Sequence, residues 1–393
     1  MDIAQLFKRR EFIAFIALSL VSLFADMTYE GARSVLGAYL RVLEATALVA
    51  GVVSVGDLLG YLMRGVGGFL AGFKKSSRVY WALVFGGYAI NLFAVPLLAF
   101  AGRWEVALGL VLLERVGKGL RTPARDVILS EVTESIGRGK GFGLHELMDQ
   151  VGAVSGPLIV MWALYSSGGS YHLAFIVLFV PATIALLLLA IAYSSYPTVR
   201  AVREAERSTQ GAGLPRSFWL FTIGTALLSA GYAHWALAAY SMEATGAARG
   251  PVIALLYTIA MLVDAAVALP AGVLYDRFGP ATITVTPVLA AATTPMILSG
   301  DAGMVMAAAA LWGVVMGIYE TNMRVVVADL TTPATRAYAY GVYGVVFGVS
   351  WTLGNVVLAR LLEVAPGAIA PYVVGAELAA LAVFVAMLRS WRR

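Results

Sequence analysis

Apolar stretches long enough to cross a bilayer recur twelve times along this chain, and no other feature constrains its fold as much. A spanning helix needs about 20 apolar residues. The stretches are 12–40, 46–73, 79–101, 104–124, 141–166, 172–195, 217–242, 249–274, 281–299, 303–325, 338–363 and 367–389. Gly and Pro are frequent inside them, as membrane helices tolerate. The period-2 alternation of a membrane barrel is absent. The expected fold is therefore an all-α membrane protein of twelve transmembrane helices. Composition excludes a soluble chain: 60% of residues are hydrophobic and 13% charged, against about 25% charged in an average globular domain. Mean hydropathy is +0.82, which also excludes disorder. With no cysteine, disulfides, thiolate nucleophiles and thiolate metal sites are excluded. Asn occurs only at 91, 322 and 355, and Gln only at 5, 150 and 210. So few thermolabile residues point to a thermophile.

Lys and Arg set the orientation. The clusters Lys8-Arg9-Arg10, Lys74-Lys75-Arg78, Arg125 to Lys140, Arg200 to Arg216, Arg277, Arg336 and Arg389 to Arg393 fall at alternate connections and at both termini. The opposite connections hold little beyond Arg41, Arg103 and Arg249. The positive-inside rule then places both termini in the cytoplasm of a multi-pass inner or plasma membrane protein. The net charge of +5 reads as loop topology, with no nucleic-acid role. The opening MDIAQLFKRREF runs into the first apolar helix without a small-residue cleavage site, so it reads as a span and not a signal peptide. The polar connection 196–216 splits the spans six and six: an N-terminal bundle 1–195, a cytoplasmic linker and a C-terminal bundle 217–393.

The halves repeat. Shifted by 198 residues, Glu131 falls on Asp329, Thr133 on Thr331, Arg138 on Arg336, Gly143 on Gly341 and Gly156 on Gly354. One six-helix unit used twice in parallel is an organisation of transporters with a midplane site between halves.

Local motifs then give a family resemblance. Gly272-Val-Leu-Tyr-Asp276-Arg277-Phe-Gly279 resembles the signature loop G-x-x-x-D-R-x-G of the major facilitator superfamily. The equivalent first-half loop has Gly72 where the acid belongs. Arg115 followed by Gly119 in span 4 is similar to that family's buried Arg pattern, linked to proton transfer. Gly152, Gly156 and Pro157 in span 5 resemble the G-x-x-x-G-P of its antiporter branches. Gly117 to Asp126 resembles a stretch of prokaryotic, drug-efflux-like, drug:proton-antiporter members. G-x-x-x-G is also a plain helix-packing pattern. The resemblance covers the whole chain. It implies two pseudo-symmetric six-helix bundles, alternating access, a cavity lined by spans 1, 4, 7 and 10, and gating roles for Gly272, Asp276, Arg277, Gly279, Gly152, Gly156 and Pro157. In that loop motif the acid approaches the start of a helix in the opposite half, here span 5 near Gly141. Asp329 is the acid placed for Arg277.

A charge at the bilayer centre costs roughly 2.5–3.5 kcal/mol on insertion scales, so buried charges need a partner, a cavity or a proton. Asp26, Glu30 and Arg33 share one face of span 1. Asp57 and Arg64 share a face of span 2. Span 4 carries Glu114, Arg115 and Lys118 too deep to snorkel. Span 5 carries His145, Glu146 and Asp149, an Arg115–Asp149 pair being expected. The second half is leaner: His234 and Trp235, Asp264, then Glu320 and Arg324, which are spaced as an intrahelical pair. Coupling needs a carboxyl whose proton affinity changes with access. Asp26, Glu30 and Asp149 are the candidates, with Arg115 alongside. By the resemblance, Tyr29, Arg33, Glu114, Lys118, Tyr232, His234, Trp235, Tyr319 and Glu320 line the substrate cavity.

The expected activity is proton-coupled export of small amphipathic or drug-like molecules by a monomeric multidrug-efflux antiporter, with no chemical conversion. No cofactor is expected, and no metal. No G-x-x-x-x-G-K-[ST] loop is present, which argues against ATP drive. Alternatives are a proton symporter for an organic anion held by Arg33, Arg115 and Lys118, a lysolipid or lipid flippase, and a receptor or chaperone that moves nothing. A divalent-metal exporter using His145, Glu146 and Asp149 is a further one.

Overall fold

The computed structural model describes residues 10–74, 76–133, 138–200 and 213–391. Parts of the basic clusters at 8–9, 75, 134–137 and 392–393, and linker residues 201–212, lie outside them. Fifteen α-helices form among the described residues. They are α1 (Arg10–Val42), α2 (Ala47–Val52), α3 (Val55–Lys74), α4 (Ser77–Ala94), α5 (Trp104–Val132), α6 (Arg138–Ser166), α7 (Tyr171–Ile176) and α8 (Phe179–Ser195), followed by α9 (Arg216–Gly231), α10 (Trp235–Thr245), α11 (Gly250–Phe278), α12 (Val285–Ile297), α13 (Ala302–Asp329), α14 (Pro333–Val364) and α15 (Ile369–Trp391).

Local chemistry fixes the boundaries. Asp301 caps α13 by accepting the Met304 N–H at 2.8 Å, and Ser170 caps α7 through Leu173 at 3.3 Å. Proline opens α11 and α14, where its missing N–H is not needed. α11 ends at Gly279 with φ +63°, a backbone region that favours glycine. Nine stretches are long and apolar enough to cross a membrane among the described residues. One of them, Gly250–Ile297, runs through both α11 and α12.

Two compact units emerge. The first takes the described residues through Ala32 and from Leu59 to Arg200; the second takes Arg33–Leu58 and the described residues from Gly213 onward. In the first, α4 packs on α5 and α8, and α6 packs on α7. In the second, α13 packs on α11 and α12, while α9 packs on α14 and α15. Residues 33–58 thus cluster with the second unit although they precede the linker in sequence.

The 198-residue offset reappears in the helices. α5 begins at Trp104 and α13 at Ala302; α6 ends at Ser166 and α14 at Val364; α7 begins at Tyr171 and α15 at Ile369. Side chains follow the same offset. The Thr133 hydroxyl donates to the Leu129 carbonyl at 2.9 Å, and the Thr331 hydroxyl to the Val327 carbonyl at 2.6 Å. Glu131 accepts a hydrogen bond from Tyr196, and Asp329 one from Tyr275.

Candidate functional site

The charged site of the first unit begins with missing side chains. A Cβ added to Gly152 would sit 2.9 Å from Asp26 Cβ, and one on Gly156 would sit 2.9 Å from the Gly31 nitrogen. α6 therefore crosses α1 backbone to backbone, and any larger residue would hold the helices apart. Pro157 lies inside α6, just past the crossing, and withholds one helical N–H. The close approach carries Asp149, three residues before Gly152, toward Asp26.

Around Asp26 the partners converge from three helices. The Tyr29 hydroxyl donates to the Asp26 carboxylate. The Lys118 ammonium stands 3.8 Å from the Tyr29 ring centroid, within cation–π range. The charges acting on Asp26 are Asp149 and Glu30, both negative, and Lys118, positive. Glu30 is itself buried. Asp149 faces Ser22 of α1, Arg125 and Lys118, and Arg125 donates to the Ser22 hydroxyl at 3.4 Å. His145 lies 3.9 Å from Asp149, beyond hydrogen-bond range. The groups expected to couple protons, apart from Arg115, thus share one patch.

Arg115 is placed differently from the expectation. Its Nε lies 3.3 Å from the Glu114 carboxylate. The Asn91 side-chain amide of α4 donates to the same carboxylate at 2.6 Å. Arg115 thus stands against the acid next to it in sequence, and Asn91 holds that acid from α4. Below it, Arg121 is 1% exposed, with its guanidinium 3.8 Å over the Tyr88 ring. Its Nε and Nη1 have no hydrogen-bond partner among the described residues. No group of three metal-ligating side chains forms among the described residues, and Glu146 is exposed.

In the second unit, the 198-residue offset puts Gly224, Met316 and Phe347 where Asp26, Lys118 and Asp149 stand. Aromatic rings take over from charges. Tyr319 and Tyr343 share a hydroxyl hydrogen bond of 2.8 Å. Ring contacts then run from Tyr343 through Phe347 and Trp351 to Tyr232 and Trp312. Tyr232 and His234, in the interruption between α9 and α10, and Trp235, which opens α10, are all buried. Tyr232 donates to the Trp312 carbonyl at 3.0 Å. Glu320 is exposed, and the side chain of Arg324 lies outside the described residues.

That interruption also holds residues 33–58. The His234 N–H donates to Asn355 Oδ1 at 2.7 Å. Its Nδ1 accepts the Ala236 N–H at 3.0 Å, so in the neutral ring the proton sits on Nε2, which faces Asp57 at 3.5 Å. Trp235 Nε1 donates to the Ser34 carbonyl at 2.9 Å, and the Tyr240 hydroxyl to the Ala45 carbonyl at 3.0 Å. The Leu48 N–H donates to Glu363 at 3.1 Å. Gly37 lies against the backbone of Ala236 and Tyr240, and Gly51 against Asn355. The turn of α1, α2 and α3 is thus bolted to α10 and α14. Arg33, half-buried, belongs to this segment.

The loop at 272–279 corrects one expectation. Asp329 accepts from the Tyr275 hydroxyl at 2.8 Å, while the Arg277 guanidinium lies 5.2 Å from the Phe278 ring. Tyr275 is buried, whereas Asp276 and Arg277 are exposed. Two residues turn about 200° around a helix, so the face that presents Tyr275 to α13 turns Arg277 away. Gly272 makes only ordinary contact, 3.7 Å from Thr321. The turn 134–137, which precedes α6 and the expected approach of Asp276, lies outside the described residues.

Sequence reasoning placed Asp57 and Arg64 on one face of span 2, gave Asp57 no partner in the second half, and passed over Ser22, Ser34 and Glu377. It read the three asparagines only as scarce thermolabile residues. All three are buried and donate within the helical layers, so their scarcity was itself a signal.

Comparisons with known proteins agree with this architecture. The family model described as the Major Facilitator Superfamily matches residues 220–393. An uncharacterized protein of Mycobacterium tuberculosis, Rv2265, is 38% identical over 377 residues, covering 93% of this chain and 91% of its own. An uncharacterized MFS-type transporter of Methanocaldococcus jannaschii, MJ1317, is 23% identical over 363 residues, covering 89% of this chain and 88% of its own. Among solved structures, the nucleoside transporter NupG superposes with TM-score 0.70 at 15% identity, over 95% of this chain and 99% of that one. A peptide transporter POT in complex with sulfate superposes with TM-score 0.74 at 16% identity, over 96% and 94%. At these identities the likeness is one of fold. The match of residues 220–393 and the likeness to an MFS-type transporter point to a multi-pass membrane transporter of the major facilitator superfamily and not to an enzyme.

Proposed function

We propose that the protein is a proton-coupled exporter of small amphipathic or zwitterionic organic molecules. It works by alternating access, with twelve spans and both termini in the cytoplasm of the inner membrane. The observation that carries the reading is the Asp26–Tyr29–Lys118–Asp149 patch. Asp26, Glu30 and Asp149 gather there against Lys118, and the nearby Arg125 is already bound to Asp126, so a proton can bind without leaving a bare charge in the membrane. Cationic substrate and proton then compete for one negative centre, which is the logic of antiport. The spans number twelve when Gly250–Ile297 is divided at Gly279 and two more are added. Trp104–Val132 carries too many charges to pass as apolar, and Arg216–Thr245 is interrupted at 232–234.

In this orientation the turn at 43–46 is on the outer side. The bolts of residues 34–57 to α10 and α14 then hold the outer side shut, and alternation requires them to part. The half-repeat supplies the two bundles, 1–195 and 217–393, that rock during the cycle. The protein acts as a monomer.

One observation favours a second reading. Arg121 is a buried cation whose Nε and Nη1 lack hydrogen bonds, and an anionic substrate group would complete it. A proton symporter for an organic anion follows from that. Proteoliposomes with an imposed pH gradient separate the two. Under antiport, substrate moves opposite to the proton gradient and reverses when the gradient reverses; under symport it moves with the gradient. Movement independent of the gradient in both directions contradicts both readings.

A further inference from the structure

The second unit contains a carboxyl group that neither the charged patch nor the bolted turn uses. Glu377 lies on α15, eight residues past its start at Ile369, or about 12 Å along the helix. It is 2% exposed. Neither carboxyl oxygen has a hydrogen-bond partner among the described residues. Burying an ionised carboxylate without a partner costs far more than a folded protein can offset, and the group takes a proton instead.

Its surroundings give the buried carboxyl a use. Glu377 lies against the last residue of α9: a Cβ on Gly231 would come 2.6 Å from Glu377 Oε1. The absence of a side chain at Gly231 makes the room the carboxyl occupies. Beyond Gly231 the helix breaks, and the carbonyls around the break are already engaged by neutral donors. Ala230 O accepts from Tyr372, Tyr232 O from Asn355, and Ala233 O from Trp312. A helix C-terminus carries partial negative charge, so it opposes ionisation of Glu377. The titratable groups that sense Glu377 are Tyr232, at the end of α9, and Tyr372, on its own helix. Asp264 of α11 and Glu320 of α13 act on the same Tyr232. Among the described residues no Lys or Arg pairs with it.

We propose that Glu377 is a proton-binding site of the C-terminal half. It holds a neutral carboxylic acid while the α9–α10 interruption is folded as observed, and it releases the proton when that interruption rearranges. His234, the last residue of the break, and Trp235, the first residue after it, face Asp57 and bond Ser34. Glu377 therefore ties proton occupancy to the same hinge that holds residues 33–58. The site is separate from the Asp26 patch, and the proposal stands whether or not that patch couples protons.

Infrared difference spectroscopy of the full-length protein in lipid tests the first part. The wild type should show a carboxylic-acid carbonyl band at neutral pH that shifts in deuterated water and fades only at alkaline pH. The band should be missing from Glu377→Gln, or from Glu377→Met should the first variant fail to fold. A spectrum unchanged by both substitutions overturns the proposal. The chain has no cysteine, so spin labels can be placed at exposed Val42 and Ala244 without background. Raising the pH should lengthen the wild-type label distance, and the Glu377→Gln variant should lose that response. A variant that keeps the full pH response, or a wild-type distance that follows sodium rather than pH, overturns the link to the hinge.

Discussion

At the scale of single residues, the chain places charges where lipid forbids them and then surrounds them. Asn91 is fully buried and gives its amide to Glu114. Asn91→Leu removes that donor and leaves a buried carboxylate short of a partner, so it should destabilise by about 1–3 kcal/mol in thermal melts. Asn91→Asp should be worse, because it sets two acids together. Arg121 behaves in the opposite sense. Its guanidinium is covered by Tyr88, and its Nε and Nη1 lack hydrogen-bond partners among the described residues, so Arg121→Met should leave the melting temperature unchanged or raised. Loss of anion transport in that folded variant would identify the organic-anion reading. Near the linker, burial pushes the Tyr196 phenol up to about 12, and the hydrogen bond to Glu131 adds to the effect. A phenol raised above its ordinary value of 10.0 stabilises fully below that pH and loses its contribution as pH rises toward 12. Limited proteolysis of the 196–216 segment should therefore be flat with pH up to about 10 and accelerate above it, and Tyr196→Phe should remove the pH step.

At the scale of helices, spacing decides which charges meet. The G-x-x-x-G of α6 reads from sequence as packing or as function, and the geometry joins the two: the crossing at Gly152 and Gly156 sets Asp149 near Asp26. Gly156→Leu should force α6 off α1, cost about 1–3 kcal/mol of overpacking, and abolish transport without touching a charge. Gly272→Ala, with only Thr321 nearby, should be tolerated in melts. Much of this level was legible beforehand. Apolar length located most of the helices, and the 198-residue repeat reappears in the starts of α5 and α13. The Arg277–Asp329 pair was misjudged because both were placed at span ends on the same side without the helical phase that presents Tyr275 instead. Glu377 was missed because a single acid in an apolar helix gives no pattern, and its meaning lies in Gly231 of another helix. The pairing of Asp57 with His234 joins positions far apart in the chain, which no local spacing encodes.

At the scale of the whole molecule, transport asks one sequence to hold two conformations. The first half keeps a charged patch; the second answers the same positions with Gly224, Met316 and Phe347. In the proposed alternating-access cycle the bonds of residues 34–57 to α10 and α14 belong to one conformation, and they have to be strong enough to form and weak enough to part. His234→Gln and Asp57→Asn should each loosen the turn. In a double-mutant cycle on the Val42–Ala244 label distance they should couple by about 0.5–3 kcal/mol. Additive effects would mean that the two side chains do not act as a pair.

The central claim is that protons drive the cycle through the Asp26 patch. Asp26→Asn, reconstituted in liposomes and measured with one substrate in two modes, tests it most directly. The account predicts that exchange of labelled for unlabelled substrate persists while accumulation driven by a pH gradient disappears. Accumulation at the wild-type level in that variant would contradict it.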